Sequence, residues 1–187
     1  CKLQPKAFEE VTKIFLNWAK EFSPEPYNET THKGLLRHLY IRLAESTGEI
    51  MVCLVLNGEK VKGEQELAKQ LANEVPNFKT LVVNTNKEKT NVILGKKCRT
   101  VYGNGYITDK LCGLEFQLSP LSFYQVNKAQ TELLYALAKE YAQLKEDDVL
   151  LDLYCGTGTI GLSMASEVKQ LIGVEIIPQA VENAKEN

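Results

Sequence analysis

Gly156, Gly158 and Gly161 stand between an apolar run, Val149-Leu150-Leu151-Asp152-Leu153, and a segment patterned as a helix. Nineteen positions after Gly156, Glu175 closes a second apolar run, Leu171-Ile172-Gly173-Val174. A chain that leaves a parallel strand and lays its backbone against a ligand must turn sharply with no Cβ in the way, which glycine permits. The spacing matches G-x-G-x-x-G, a weak pattern by itself. The order strand, glycine turn, helix, strand, acid supplies its context, because a carboxylate in that place grips the two hydroxyls of a ribose. Asp152, just ahead of the turn, selects among ribose-bearing ligands. A carboxylate there repels a pyrophosphate and suits a ligand carrying an ammonium and a sulfonium centre. S-adenosylmethionine therefore fits better than NAD. For Asp152 alone, a solvated acid at a strand end accounts for the residue equally well, and Glu175 tips the balance.

The elements that position these residues read clearly from Ser119 onward. Asn127, with Gln130 three residues on, forms a capping pair for a helix reaching about Ala142. Leu133, Leu134, Leu137, Ala138 and Tyr141 make an apolar stripe expected against a sheet. Strand 149–153, the glycine turn, a helix from about Thr159 to Ser166, strand 170–175 and a helix begun by Pro178 follow.

Upstream the pattern is different. Phe8, Val11, Phe15, Trp18, Ala19 and Phe22 recur at helical spacing between Pro5 and Phe22, so their rings are expected in a core. Leu35 to Leu43 alternates, with Leu35, Arg37, Leu39, Ile41 and Leu43 on one face and Leu36, His38, Tyr40 and Arg42 on the other. Ser46-Thr47-Gly48 turns that strand into Glu49 to Leu56, and a short helix is predicted over about 64–75. A second hairpin is expected to pair Lys79–Thr85 with Asn91–Gly95, with further short strands near 99–102 and 114–118. Hairpins with two helices describe an α+β domain.

The 187 residues, 44% hydrophobic, are enough for a substantial core. No run is long enough to span a membrane and no signal-peptide pattern opens the chain, so a cytoplasmic protein is expected. Five cysteines (Cys1, Cys53, Cys98, Cys112, Cys155), scattered and odd in number, argue against a disulfide framework. The net charge of −2 conceals a division, +4 over residues 1–110 and −6 over 111–187. The steepest basic excess runs from Lys87 to Lys110, a patch able to steer RNA phosphates, although a solvated hairpin face explains it as well. His38, Tyr40 and Arg42 set a ring beside cationic donors, as sheets that bind single-stranded RNA do. Arg37 is a lone charge on an apolar face.

At these residues the chain resembles the RNA 5-methyluridine methyltransferases. Asp152-Leu153-Tyr154-Cys155-Gly156-Thr157-Gly158 is similar to their cofactor loop, Phe123-Tyr124-Gln125-Val126-Asn127 to the segment before the preceding helix, and Gly173-Val174-Glu175 to their second strand. With Gly34-Leu35-Leu36-Arg37-His38 the likeness covers nearly the whole chain and is closest to the branch acting on 23S ribosomal RNA. It implies an α+β central domain over 1–118 that contacts RNA, followed over 119–187 by the first part of an α/β Rossmann-like class I methyltransferase domain.

For the site, the resemblance implies S-adenosylmethionine as cofactor and ribosomal RNA as partner. Gln125 would bond the methionine end, Tyr154 border the ligand and Glu175 hold the ribose, with Asp152, Gly156 and Gly158 shaping the turn. Arg37, His38 and Arg42 become the candidate RNA contacts. The family's chemistry adds a thiolate to C6 of uracil so that C5 can attack a methyl group, after which a base takes the C5 proton. The resemblance puts that cysteine and that base beyond residue 187, so no catalytic residue is expected here and this stretch alone is expected to be inactive. Cys155 corresponds to a small packing residue, and Thr159 departs from the Asn of some relatives. Many members hold a 4Fe-4S cluster on four cysteines. Cys1 is similar to the last of these, but one thiol holds no cluster and no metal site is expected from the residues present. A doubly wound sheet needs strands on both sides of its switch point, so the chain is expected to be part of a longer protein. Two other readings stay open, an NAD-dependent oxidoreductase and a non-catalytic RNA-binding module with a vestigial turn.

Overall fold

The computed structural model describes residues 4–187. Cys1 lies outside them. The chain divides into two compact units, one holding the residues up to Leu43 together with Gly48–Ile107, the other holding Ala44–Thr47 and Thr108–Asn187. The expected boundary after residue 118 thus falls earlier, because the hairpin that spans 107–118 packs with the second unit.

The first unit is a four-stranded sheet in the order β1 (Leu36–Leu43), β2 (Ile50–Leu56), β3 (Phe78–Thr85), β4 (Lys97–Tyr102). β1 and β2 form the expected antiparallel hairpin, whereas β2 and β3 run parallel through the crossover helix α2 (Glu64–Glu74). Helix α1 (Ala7–Phe22) buries Val11, Ile14 and Trp18 against the same sheet face as α2. Trp18 keeps its one polar atom satisfied, Nε1 donating to the Gly63 carbonyl at 2.7 Å. All seven residues of β2 are buried. On the other face, Cys53, Val55 and Val82 form a small cluster with Tyr40 and Leu94.

Two expectations for this unit fail. β3 pairs with β4 and not with 91–95. Segment 91–95 is held by side chains instead of a backbone ladder: Asn84 Nδ2 donates to the Gly95 carbonyl at 2.8 Å, and Asn86 Nδ2 donates to the carbonyls of Val92 and Ile93 at 2.8 and 3.0 Å. The strict alternation of β1 is also broken. Its register passes from Leu36↔Leu56 to His38↔Val55, leaving Arg37 as the extra residue of a bulge. The bulge resets the face pattern, so Leu35 and Leu36 both pack on the core with Leu39, Ile41 and Leu43.

In the second unit, β5 (Ile107–Leu111) and β6 (Leu114–Leu118) form a two-stranded sheet, β5 being a strand the sequence reading missed. Then follow α3 (Lys128–Ala142), β7 (Val149–Leu153), α4 (Thr159–Met164) with a 3₁₀ turn to Glu167, β8 (Gln170–Val174) and α5 (Pro178–Glu186). β7 and β8 pair parallel. Asn127 caps α3 as expected, its Oδ1 accepting from Gln130 N at 3.1 Å, and Pro178 opens α5. The apolar stripe of α3, however, does not pack on the sheet. Leu133, Leu134, Leu137 and Tyr141 are exposed, and the helix buries Thr131 and Tyr135 instead. No helix among the described residues is long and apolar enough to cross a membrane.

Candidate functional site

β7 ends at Leu153, and the next residues make the turn by visiting the left-handed region twice: Tyr154 at φ 61° and Gly156 at φ 56°, before Gly158 at φ 83° opens α4. An added Cβ at Gly156 would meet nothing within 4 Å, so the space over the turn is open and the backbone angle alone calls for glycine. Tyr154 accepts that angle despite its bulk and holds its ring out, 89% exposed.

Two carboxylates lock this turn. Asp152 reaches forward, its Oδ2 accepting from Gly161 N at 2.9 Å at the start of α4. Gly161 has no room for a side chain, since an added Cβ would lie 2.7 Å from that oxygen and 2.9 Å from Leu171 Cδ1. Burial pushes the Asp152 carboxyl above its ordinary value, and the Gly161 N–H partly offsets this. Glu175 reaches back across the two strands. Its Oε2 accepts from Gly156 N at 3.0 Å and its Oε1 from the N–H groups of Ile176 and Ile177, both at 2.8 Å. The Ile177 N–H first, with those of Gly156 and Ile176, holds this carboxyl below its ordinary value against the opposing effect of burial. Asp152, Cys155, Gly158, Gly173 and Glu175 line a cleft of about 250 Å³ closed on its far side by residues of α4 and α5.

The sequence reading missed the polar knots that hold the surrounding elements. Asn183 Nδ2 on α5 donates to Ser122 Oγ at 2.6 Å and Ser119 Oγ at 3.1 Å. Tyr135 Oη and Thr159 Oγ1 lie 2.8 Å apart, tying α3 to the start of α4. An asparagine on the otherwise apolar Ala180/Ala184 side of α5 was the available signal for the first; nothing in the spacing marked the second.

The predicted site residues thus separate into groups. Asp152, Gly156, Gly158 and Glu175 come together, whereas Tyr154, in the same turn, is exposed and is not among the residues lining the cleft. Gln125 lies exposed in the irregular segment before α3, with no hydrogen bond joining it to that group. In the first unit, Arg37 is anything but a free surface charge. Its side chain is 1% exposed, its Nη atoms donate to the carbonyls of Asn86, Glu88 and Thr90 at 2.8–3.1 Å, and its guanidinium lies over the Tyr27 ring. His38 and Arg42 are half-buried on the opposite face, Arg42 beside the Tyr40 ring. Nor is the basic run 87–110 one patch: Lys87 pairs with Glu59 and Arg99 with Glu64, while Lys110 belongs to the second unit and pairs there with Glu115. Every described cysteine thiol is raised above its ordinary value by burial, Cys53 to about 12, so none is an activated nucleophile. No group of three or more metal-binding side chains occurs among the described residues.

The second unit, with parallel strands joined through a glycine turn and an acid ending the second strand, is the first part of a class I methyltransferase fold. A solved structure bears this out at the level of fold: Pyrococcus abyssi tRNA (uracil-54, C5)-methyltransferase, in complex with S-adenosyl-L-homocysteine, matches 95% of this chain and 42% of its own at a TM-score of 0.76 and 23% identity. The family model described as tRNA (Uracil-5-)-methyltransferase matches residues 28–187, and the chain belongs to that family. Uncharacterized RNA methyltransferases of Clostridium acetobutylicum and Clostridium tetani are 45% and 42% identical over all 187 residues. The chain spans 41% of the length of each.

Proposed function

We propose that the full-length protein is an S-adenosylmethionine-dependent RNA (uracil-5-)-methyltransferase. One observation supports the cofactor more than any other. In a dinucleotide site the N–H groups opening the helix after the glycine turn receive the pyrophosphate. Here the Gly161 N–H is already taken by Asp152, Glu175 adds a second negative charge to the same cleft, and the one cation that lines it, Lys185, is paired with Glu182. That arrangement opposes a diphosphate and suits an adenosyl ligand with a positive centre. The residues fit such a ligand: Glu175 is exposed enough to accept hydrogen bonds from ribose hydroxyls and Gly156 leaves the backbone open, and Tyr154 in the same turn is proposed to border the ligand. When bound, S-adenosylmethionine supplies an electrophilic methyl group. The chain's own part is to bind and orient it, with Gln125 proposed for the methionine end.

The family description favours RNA uracil as the substrate and names tRNA. The likeness over nearly the whole chain, nearest to the ribosomal branch, favours 23S ribosomal RNA, which is our finer proposal, with the first unit contacting RNA through His38 and Arg42 in a cytoplasmic protein. In the relatives' greater length we place the catalytic thiol, the base and the strands that cover β7. Offering the full-length protein 23S ribosomal RNA and tRNA, each tritiated at uracil C5, tests both levels. Tritium release from ribosomal RNA alone is the expected result; release from tRNA alone overturns the finer proposal, and methyl transfer only to cytosine, protein or small molecules overturns the whole.

A further inference from the structure

Arg37 ties two loops of the first unit together, and the space between them is a cleft of about 480 Å³ lined by Glu29, His32, His38, Lys89, Thr90 and Asn91. One wall is the tight loop 27–33, in which Asn28 Oδ1 accepts from the N–H groups of Thr30 and Thr31 and the backbone of Asn28 pairs with that of Lys33. The other is the segment 86–91, in which Asn86 Oδ1 accepts from Glu88 N. The Arg37 guanidinium grips the second wall through its bonds to the Glu88 and Thr90 carbonyls, and the first through Tyr27 at 4.3 Å and Glu29 at 3.7 Å. Because Arg37 sits in the bulge, the strand resumes its pairing at His38, which lines the cleft.

We propose that this cleft binds a phosphodiester of the RNA substrate, with Lys89, His32 and His38 as its contacts and Arg37 as the positioning residue that sets the distance between the walls. The assignment rests on the RNA methyltransferase reading and adds to it a specific phosphate subsite. Lys89 is exposed and has no ion-pair partner among the described residues, unlike Lys87. His32 Nδ1 lies 3.0 Å from Tyr27 Oη; with the tyrosine donating, the ring proton sits on Nε2 and the imidazole offers a donor. Of the residues that line the cleft one is acidic, Glu29, and it is paired with Arg37, while Glu88 in the second wall does not line it. Three donors, one on each wall and His38 on β1, suit the oxygens of a phosphate, which positions a strand without reading its bases.

The test is RNA affinity of the full-length protein as a function of KCl, with methyl-transfer kinetics, for the wild type and the variants Lys89→Ala, His38→Gln and Arg37→Lys. Loss of one phosphate contact flattens the slope of log K against log salt by roughly 1 in Lys89→Ala. Arg37→Lys, which cannot bridge three carbonyls and a ring at once, should flatten it similarly and raise KM for RNA more than it lowers kcat, while affinity for S-adenosylhomocysteine stays unchanged. If Arg37→Lys does not fold, the exposed Lys89→Ala decides alone. An unchanged salt slope and KM in Lys89→Ala and His38→Gln, in an enzyme that methylates RNA, overturns the subsite and leaves the function standing. A wild type that neither binds nor methylates RNA overturns both.

Discussion

β2 and β7 are both short apolar strands with a parallel neighbour, yet they end in opposite conditions. Every residue of β2 is buried, whereas Val149, Leu151 and Leu153 of β7 are each more than half exposed. The cause is the number of neighbours. β2 lies between β1 and β3 under two helices, while β7 pairs only with β8 among the described residues. The first unit therefore rests on apolar burial, at about 1.5–3 kcal/mol for each large side chain. The second is organised by polar knots around the turn: Asp152 on Gly161, Glu175 on three backbone N–H groups, and Asn183 on two serines.

That contrast can be broken first in the cores. Leu54→Ala should cost about 2–5 kcal/mol in urea unfolding followed in the first unit. Leu151→Ala in the 187-residue chain should cost well under that, since little is buried at 151; equal losses would show that β7 is covered after all. Gly161→Ala comes next, at roughly 1–3 kcal/mol, because the new methyl must displace Asp152 or Leu171. The loss should be confined to probes of the second unit.

The smallest effect is a pH dependence. The folded-state pKa of Glu175 is depressed, so its stabilisation is present above the ordinary carboxylate value and is lost as pH falls through the lower folded one. Glu175→Gln should lower the urea midpoint at pH 7, and the gap from wild type should close on acidification below about pH 4. Asp152 acts in the opposite sense: its pKa is raised, so protonating it on acidification relieves a cost. Asp152→Asn should therefore leave the midpoint at pH 7 nearly unchanged if the amide oxygen keeps the Gly161 bond.

Much of the second unit was legible because its signals are local. Strand, turn, strand and acid fall within thirty positions, and β7 and β8 sit within a residue of expectation. The first unit hid what depends on distant partners. Asn84 and Asn86 hold 92–95 beside β3 with side-chain bonds, so a segment that looked like the next strand is a strapped loop, and the true partner begins at Lys97. Arg37 looked like a misplaced charge because alternation has no means of showing a bulge. The α3 stripe misled for another reason: helical spacing identifies an apolar face but not what covers it, and here Thr131 and Tyr135 face inward.

The central claim is that the turn around Gly156, braced by Asp152 and Glu175, holds an adenosyl ligand with a positive centre and no diphosphate. Calorimetric titration of the full-length protein with S-adenosylhomocysteine and, separately, NADH tests it most directly. The account predicts heat with S-adenosylhomocysteine, at least tenfold weaker binding in Glu175→Ala, and none with NADH. Heat with NADH alone, or binding indifferent to Glu175→Ala, would contradict it.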